Sequence, residues 1–142
     1  MRKDGTTVQA RGISICKIPI GEGEFVKTYL ANKFEDIRSA ITRSFDALLP
    51  SSPHAAYLAF YYSFQARFDY WLATNNLRHT YELARSTDAY FAEILSKICD
   101  FDIVSLPPVG TPLPSFIAKR ISLKVRNGGL GYRQLSERYY VL

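Results

Sequence analysis

The chain has 142 residues, 47% of them hydrophobic and 22% charged, which is one domain's length with enough apolar material for a genuine core. Its most apolar stretch, residues 55–72, is broken by Gln65, Arg67 and Asp69, which argues against a membrane span; two cysteines, Cys16 and Cys99, exclude a disulfide framework and point to a reduced intracellular setting, cytoplasmic or nuclear. The net charge of +5 divides into +3 over residues 1–17, −3 over 18–118 and +5 over 119–142, so the basic character sits at the two ends.

Polar residues follow Arg2, Lys3 and Asp4 where a signal peptide would carry an apolar run. From Val8 to Ile20 the chain alternates imperfectly, with Ile13 and Ile15 on one strand face and Ile18 and Ile20 sharing a face after a break, which predicts short β structure over the first segment, 1–22. A helical body over 24–100 follows. Its first helix spans 24–49, where Val26, Leu30, Phe34, Ile37, Ile41, Phe45 and Leu48 form one apolar stripe and Pro50 ends the pattern. Ser51-Ser52-Pro53 starts the second helix, which runs to Asn75 and is apolar nearly all round, so it is expected at the centre. The third helix is read from Tyr81 to Cys99, with Leu83, Thr87, Tyr90, Phe91, Ile94, Leu95, Ile98 and Cys99 on its buried side. Thr80 or Ser86-Thr87-Asp88 marks its start or an internal break.

Prolines 107, 108, 112 and 114 make 101–114 a loop, and 115–142 forms a basic, Gly-rich C-terminal segment. There a short helical turn is expected over 115–120, a strand-like alternation over Ile121, Leu123 and Val125, a turn at Asn127-Gly128 and a short helix within 132–140. The fold class that results is mainly α: three long helices, a small N-terminal β element that pairs with 121–125, and a C-terminal Gly-rich turn, in a single domain 1–142. Phe34, Ile41, Phe60, Phe64, Trp71, Phe91 and Ile94 are expected to form the shared core.

Catalytic constellations are scarce. Two-metal chemistry needs clustered carboxylates. The chain has no Asp-Asp pair, Glu35-Asp36 falls on a helix's solvent face, and Asp100-Phe101-Asp102 is an ordinary helix-end pattern. Cys16, His54, His79 and Cys99 lack metal-ligand spacing, and no G-x-S-x-G is present. No catalytic residue, metal site or cofactor site is therefore assigned. Asn127-Gly128-Gly129-Leu130-Gly131, with Lys124, Arg126 and Arg133 around it, has the composition of a turn that offers backbone N–H groups to a phosphate.

Two motifs bracket the helical body. The first is Gly12-Ile13-Ser14-Ile15-Cys16-Lys17-Ile18-Pro19-Ile20-Gly21 with Glu24-Phe25-Val26; the second is Gly128-Gly129-Leu130-Gly131-Tyr132. In this order, over about residues 12–137, they resemble the region downstream of the catalytic palm in reverse-transcriptase-like proteins of the non-LTR retrotransposon type. There a G-x-x-x-L-G-x-P-x-G-x-x-x-F-V stretch ends the palm at the primer grip, and G-G-L-G-L-x-S closes the helical thumb region. The resemblance makes 1–22 a primer-grip-like segment and places Arg67 and Asp88 at the family's thumb-helix R-x-x-Y-L-L and F-D positions. Arg67 is read as a structural anchor that pairs with a carboxylate or caps carbonyls. The family's Leu-Gly is Cys16-Lys17 here, and lysine does not share glycine's φ/ψ range.

The resemblance implies a non-catalytic piece: the primer-grip and thumb region of a protein whose other part would be an RNA-directed DNA polymerase. The implied partners are RNA or DNA backbone and a palm and fingers domain, with no membrane partner. From the charge distribution, weak non-specific nucleic-acid contact falls to Arg11, Lys17, Lys119, Arg120, Lys124, Arg126 and Arg133. The alternatives are a helical protein-interaction module without nucleic-acid binding, which an apolar surface patch would favour, and a small enzyme, which a deep polar pocket would favour.

Overall fold

The computed structural model of the chain describes residues 11–100 and 116–138. The expected Pro-rich loop therefore lies outside the described residues. Two strands, β1 (Gly12–Ile15) and β2 (Ile18–Gly21), pair antiparallel with Ile13 opposite Ile20 and Ile15 opposite Ile18. The connecting Cys16 and Lys17 both have positive φ, 51° and 66°. A two-residue hairpin with both central residues left-handed matches the right-handed twist of its strands. Lys17 thus adopts the conformation expected of glycine, and the Tyr70 hydroxyl helps to hold the turn by donating to the Cys16 carbonyl. All four isoleucines share one face, and Ile13, Ile15 and Ile20 are at least half exposed. The other face carries the buried Pro19 and Gly12. A Cβ on Gly12 would stand 2.0 Å from the Phe25 ring, so only glycine lets the strand lie this close to the helix that follows.

That helix, α1 (Gly23–Leu48), buries Val26, Leu30, Phe34, Ile41 and Phe45 along the expected stripe. Ser52 then caps the next helix by accepting from the Ala55 N–H at 3.2 Å, with Pro53 in the first turn. The second helical rod runs from Pro53 to Thr74, but it is not one α-helix. It consists of α2 (Pro53–Ala59), a π turn (Phe60–Phe64), a 3-10 turn (Gln65–Phe68) and α3 (Asp69–Thr74). Phe60, Phe64 and Phe68 recur at four-residue steps, which keep them on one side of the rod as the same steps keep Val26, Leu30 and Phe34 on one side of α1. All three rings are buried.

The third long helix, α4 (Leu77–Cys99), starts four residues before the position read from the sequence. The Asn76 side chain caps it by accepting from the Arg78 N–H at 3.1 Å. Thr80 does not cap; its hydroxyl donates back to the Asn76 carbonyl. Ser86-Thr87-Asp88 makes no break: α4 runs through it, and the Thr87 hydroxyl donates to the Leu83 carbonyl one turn earlier at 2.7 Å. Asp100, at φ 50°, ends the helix. Cys99, expected on the buried side, is exposed in that last turn.

The three helical rods meet on aromatic rings. Phe91 of α4 stands edge-on to Phe60 at 5.4 Å and to Phe68 at 5.7 Å, and Phe34 of α1 lies 5.0 Å from Phe68. All seven residues expected in the core are buried. Arg67, expected as an anchor, is exposed and has no hydrogen-bond or ion-pair partner among the described residues. No described helix is long and apolar enough to cross a membrane.

Phe91→Ala is expected to lower the free energy of unfolding by about 3–5 kcal/mol, because a cavity would open among three rings that cannot collapse independently. Urea denaturation followed by circular dichroism measures it.

Candidate nucleic-acid interface

The C-terminal segment is built from α5 (Phe116–Ser122), a 3-10 turn (Val125–Asn127) and α6 (Leu135–Arg138). No strand forms over Ile121–Val125. Ile121 lies in the last turn of α5 and is buried, while Leu123 and Val125 are nearly half exposed, so the alternation reflects one inward residue rather than a strand face. Among the described residues β1 pairs only with β2, and the sheet expected to join the two basic ends is not formed.

The glycine turn directs its amides inward. Gly128 N–H donates to Val125 O, Gly129 N–H to Lys124 O, Gly131 N–H to Leu123 O and Tyr132 N–H to Ile121 O, over 2.9–3.3 Å. These groups are satisfied within the segment and do not form the phosphate-binding backbone turn expected from the composition. Gly131 has a stricter duty. Its φ is +68°, and a Cβ there would stand 2.4 Å from the Tyr61 ring. Both the conformation and the close approach require glycine.

Four side chains from the helical body hold this segment. The Tyr57 hydroxyl donates to the Leu130 carbonyl at 3.0 Å, and Gln65 Oε1 accepts from the Arg133 N–H at 3.5 Å. Tyr61 packs on Gly131. Asp88 does most: its buried carboxylate accepts from the Leu135 N–H at 2.6 Å, the Ser136 N–H at 3.0 Å and the Ser136 hydroxyl at 2.7 Å. The Tyr132 hydroxyl adds a bond to the Asp88 carbonyl at 3.0 Å. Asp88 therefore caps α6 from a different helix, with its negative charge at the positive end of that short helix. The sequence carried a signal for this role, since an acid one turn before Phe91 falls on the buried stripe and a buried carboxylate needs partners.

The docked segment and the π turn enclose a cleft of about 440 Å³, lined by Tyr61, Gln65, Lys124, Arg126, Gly131 and Arg133. Three of the seven cations expected to contact nucleic acid thus converge. Among the described residues none of the three has a carboxylate partner within ion-pair distance; Lys33–Asp36 is the ion pair seen there. Lys119 and Arg120 are exposed on α5, and Arg120 Nε donates to the Gly128 carbonyl at 3.3 Å, bracing the turn. Arg11 and Lys17 are exposed on the hairpin, which packs on α1 and Tyr70 rather than on the cleft. Tyr57, Tyr61, Gln65 and Asp88 were not assigned to the site from the sequence, because each acts across 44 to 73 residues of chain or through a ring contact.

No three His, Cys, Asp or Glu side chains cluster as metal ligands among the described residues. Asp100 is the left-handed residue that closes α4, and Asp102 lies outside the described residues.

Asp88→Asn is expected to cost about 1–3 kcal/mol, because an amide presents a donor to N–H groups that need an acceptor. Hydrogen exchange should show the Leu135 and Ser136 amides losing protection while the α1 amides keep theirs. A second expectation concerns pH. Burial, followed by the neighbouring Tyr61 and Tyr62, pushes the Tyr57 hydroxyl above the ordinary tyrosine value. A group raised in the folded state contributes stability that is complete below its unfolded value, about 10, and is lost as pH climbs through the folded one. Alkaline titration should therefore loosen the C-terminal segment above pH 10, and Tyr57→Phe should remove that step; phenolate absorbance together with amide exchange at Leu130 checks it.

In comparison with known proteins, the chain matches no protein-family model, no curated protein sequence and no solved structure.

Proposed function

We propose that the chain is a non-catalytic, thumb-like module of a reverse-transcriptase-like protein, and that it holds nucleic-acid backbone weakly and without sequence preference. One observation carries this function: Lys124, Arg126 and Arg133 converge on one open cleft with no carboxylate partner among the described residues. Cations placed in this way neutralise phosphates and release their counterions, which favours any nucleic acid regardless of sequence. The hairpin supports the rest of the proposal. Its tip carries Lys17, and its isoleucine face is open to a neighbouring domain of the palm and fingers type.

The same face favours a second function, a protein-interaction module without nucleic-acid binding. Ile13, Ile15 and Ile20 stand side by side on a two-stranded sheet, and such sheets are marginal in water unless something covers them.

Binding of a labelled nucleic acid separates the two. The expected dissociation constant is weaker than about 1 μM near physiological salt and tightens steeply as salt is lowered. Charge reversal at Lys124 and Arg126 should weaken binding to all sequences alike, whereas reversal at Arg43, exposed on α1, should leave it unchanged. Absence of binding at low salt, or binding insensitive to salt, would favour the interaction module. Primer extension with Mg²⁺ or Mn²⁺ is expected to match a control without protein, because the chain has no Asp-Asp pair for a two-metal clamp.

A further inference from the structure

Beside the basic cleft stands a largely exposed aromatic ring. Tyr62 follows Tyr61 in the π turn, and the two rings meet edge to face at 4.8 Å. Tyr61 forms a wall of the cleft, whereas Tyr62 is 74% exposed, the largest exposure among the large hydrophobic side chains described. Phe60 and Phe64 of the turn are buried in the core, and Tyr62 between them is left exposed. Val125, lining the same cleft, is 45% exposed and adds an apolar surface to it. An exposed ring thus packs against one wall of a cleft whose lining brings together an apolar side chain and three cations with no carboxylate partner among the described residues.

A duplex offers phosphates but keeps its base faces stacked inside. An unpaired strand offers both phosphates and open base faces, and aromatic side chains beside a cationic groove bind such faces whatever the base. Resting on the backbone-binding role above, we propose that the cleft selects single-stranded nucleic acid: Lys124, Arg126 and Arg133 hold the phosphates, and an unpaired base stacks on Tyr62. Duplex can reach the cations but gains nothing from the ring. The preference is for strand state rather than sequence, because every base has a π face. Tyr62 is a binding residue here, and its exposure means that its removal leaves the core intact.

The test uses fluorescence anisotropy of the full chain with three labelled probes: oligothymidylate, oligouridylate and a DNA duplex of matched length. Both single strands are expected to bind more tightly than the duplex, with a log–log salt slope of about −2 for three phosphate contacts. Tyr62→Ala should weaken single-strand binding between about fivefold and a hundredfold and leave duplex binding unchanged. Tyr62→Phe, which keeps the ring and loses the hydroxyl, should restore single-strand binding. Oligothymidylate and oligouridylate should respond alike to each variant; a response confined to one of them would show hydrogen-bond readout of the sugar or base and overturn the stacking role. Equal affinity for single strand and duplex, or an unaltered affinity in Tyr62→Ala, would also overturn it. If Lys124→Glu with Arg126→Glu still abolished binding in that case, the backbone-holding function would stand without the strand preference. No binding of any probe at low salt would overturn both.

Discussion

The structure depends on the meeting of Phe91 with Phe60 and Phe68. The two rings of the second rod lie eight residues apart and must face the same way to receive one ring from α4. Four-residue steps put them on one side of the rod, which passes through a π turn and a 3-10 turn between them. Edge-to-face contacts of this kind contribute about 0.5–1.5 kcal/mol each beyond the area they bury. Both neighbours join the same junction: Phe34 brings in α1 through Phe68, and Tyr132 brings in the C-terminal segment through Phe60 at 6.1 Å. Four parts of the chain therefore share a single cluster.

Polar seams then fix the alignment that ring packing leaves loose. Between α1 and α4, Arg38 donates to Leu83 O, Ser86 Oγ and Thr87 Oγ1, while the Tyr90 hydroxyl pairs with Thr42 and donates to Arg38 O. Burial lowers the guanidinium's proton affinity from its ordinary value, countered by Glu35 and Tyr90. All three bonds come from one terminal nitrogen of the guanidinium, whereas its buried Nε has no partner among the described residues; a slip of either helix would strip the satisfied donor as well and is opposed by more than lost packing. Asp88, the neighbour of Thr87, serves the other side of α4 and caps α6. Adjacent residues on one helix thus tie it to both flanking elements.

The same division of labour accounts for the openness of the cleft. The C-terminal segment is held by Asp88, Tyr57, Gln65 and the Tyr61 ring, and its glycine amides are used within its own turn. Neither task draws on the side chains of Lys124, Arg126 or Arg133. These cations lie on a scaffold that is fixed without them, which lets a surface be strongly charged without the fold depending on that charge. Arg120 is the exception in the segment, since its Nε braces the Gly128 carbonyl.

Much of this was legible in the sequence where the cause is local. The apolar stripe from Val26 to Phe45, the Ser52-Pro53 helix start and the buried positions of Phe60, Phe64, Phe91 and Ile94 follow from side-chain periodicity and capping chemistry, which act within a few residues. The cations of the site were also readable as a basic end. Tertiary structure decided the rest. Ile121, Leu123 and Val125 alternate like a strand, but without a partner strand their carbonyls receive the amides of the glycine turn instead. Cys99 lies in register with the core, yet the core ends one turn before the helix does. Cys16-Lys17 could be read as incompatible with a tight turn, until strand twist and the Tyr70 hydroxyl held both residues in the left-handed region. The cleft itself appears only when Gly131 comes to rest on Tyr61, a contact across 70 residues for which no local pattern leaves a trace. Periodicity determines which face of an element is buried; which faces meet depends on packing between distant parts of the chain.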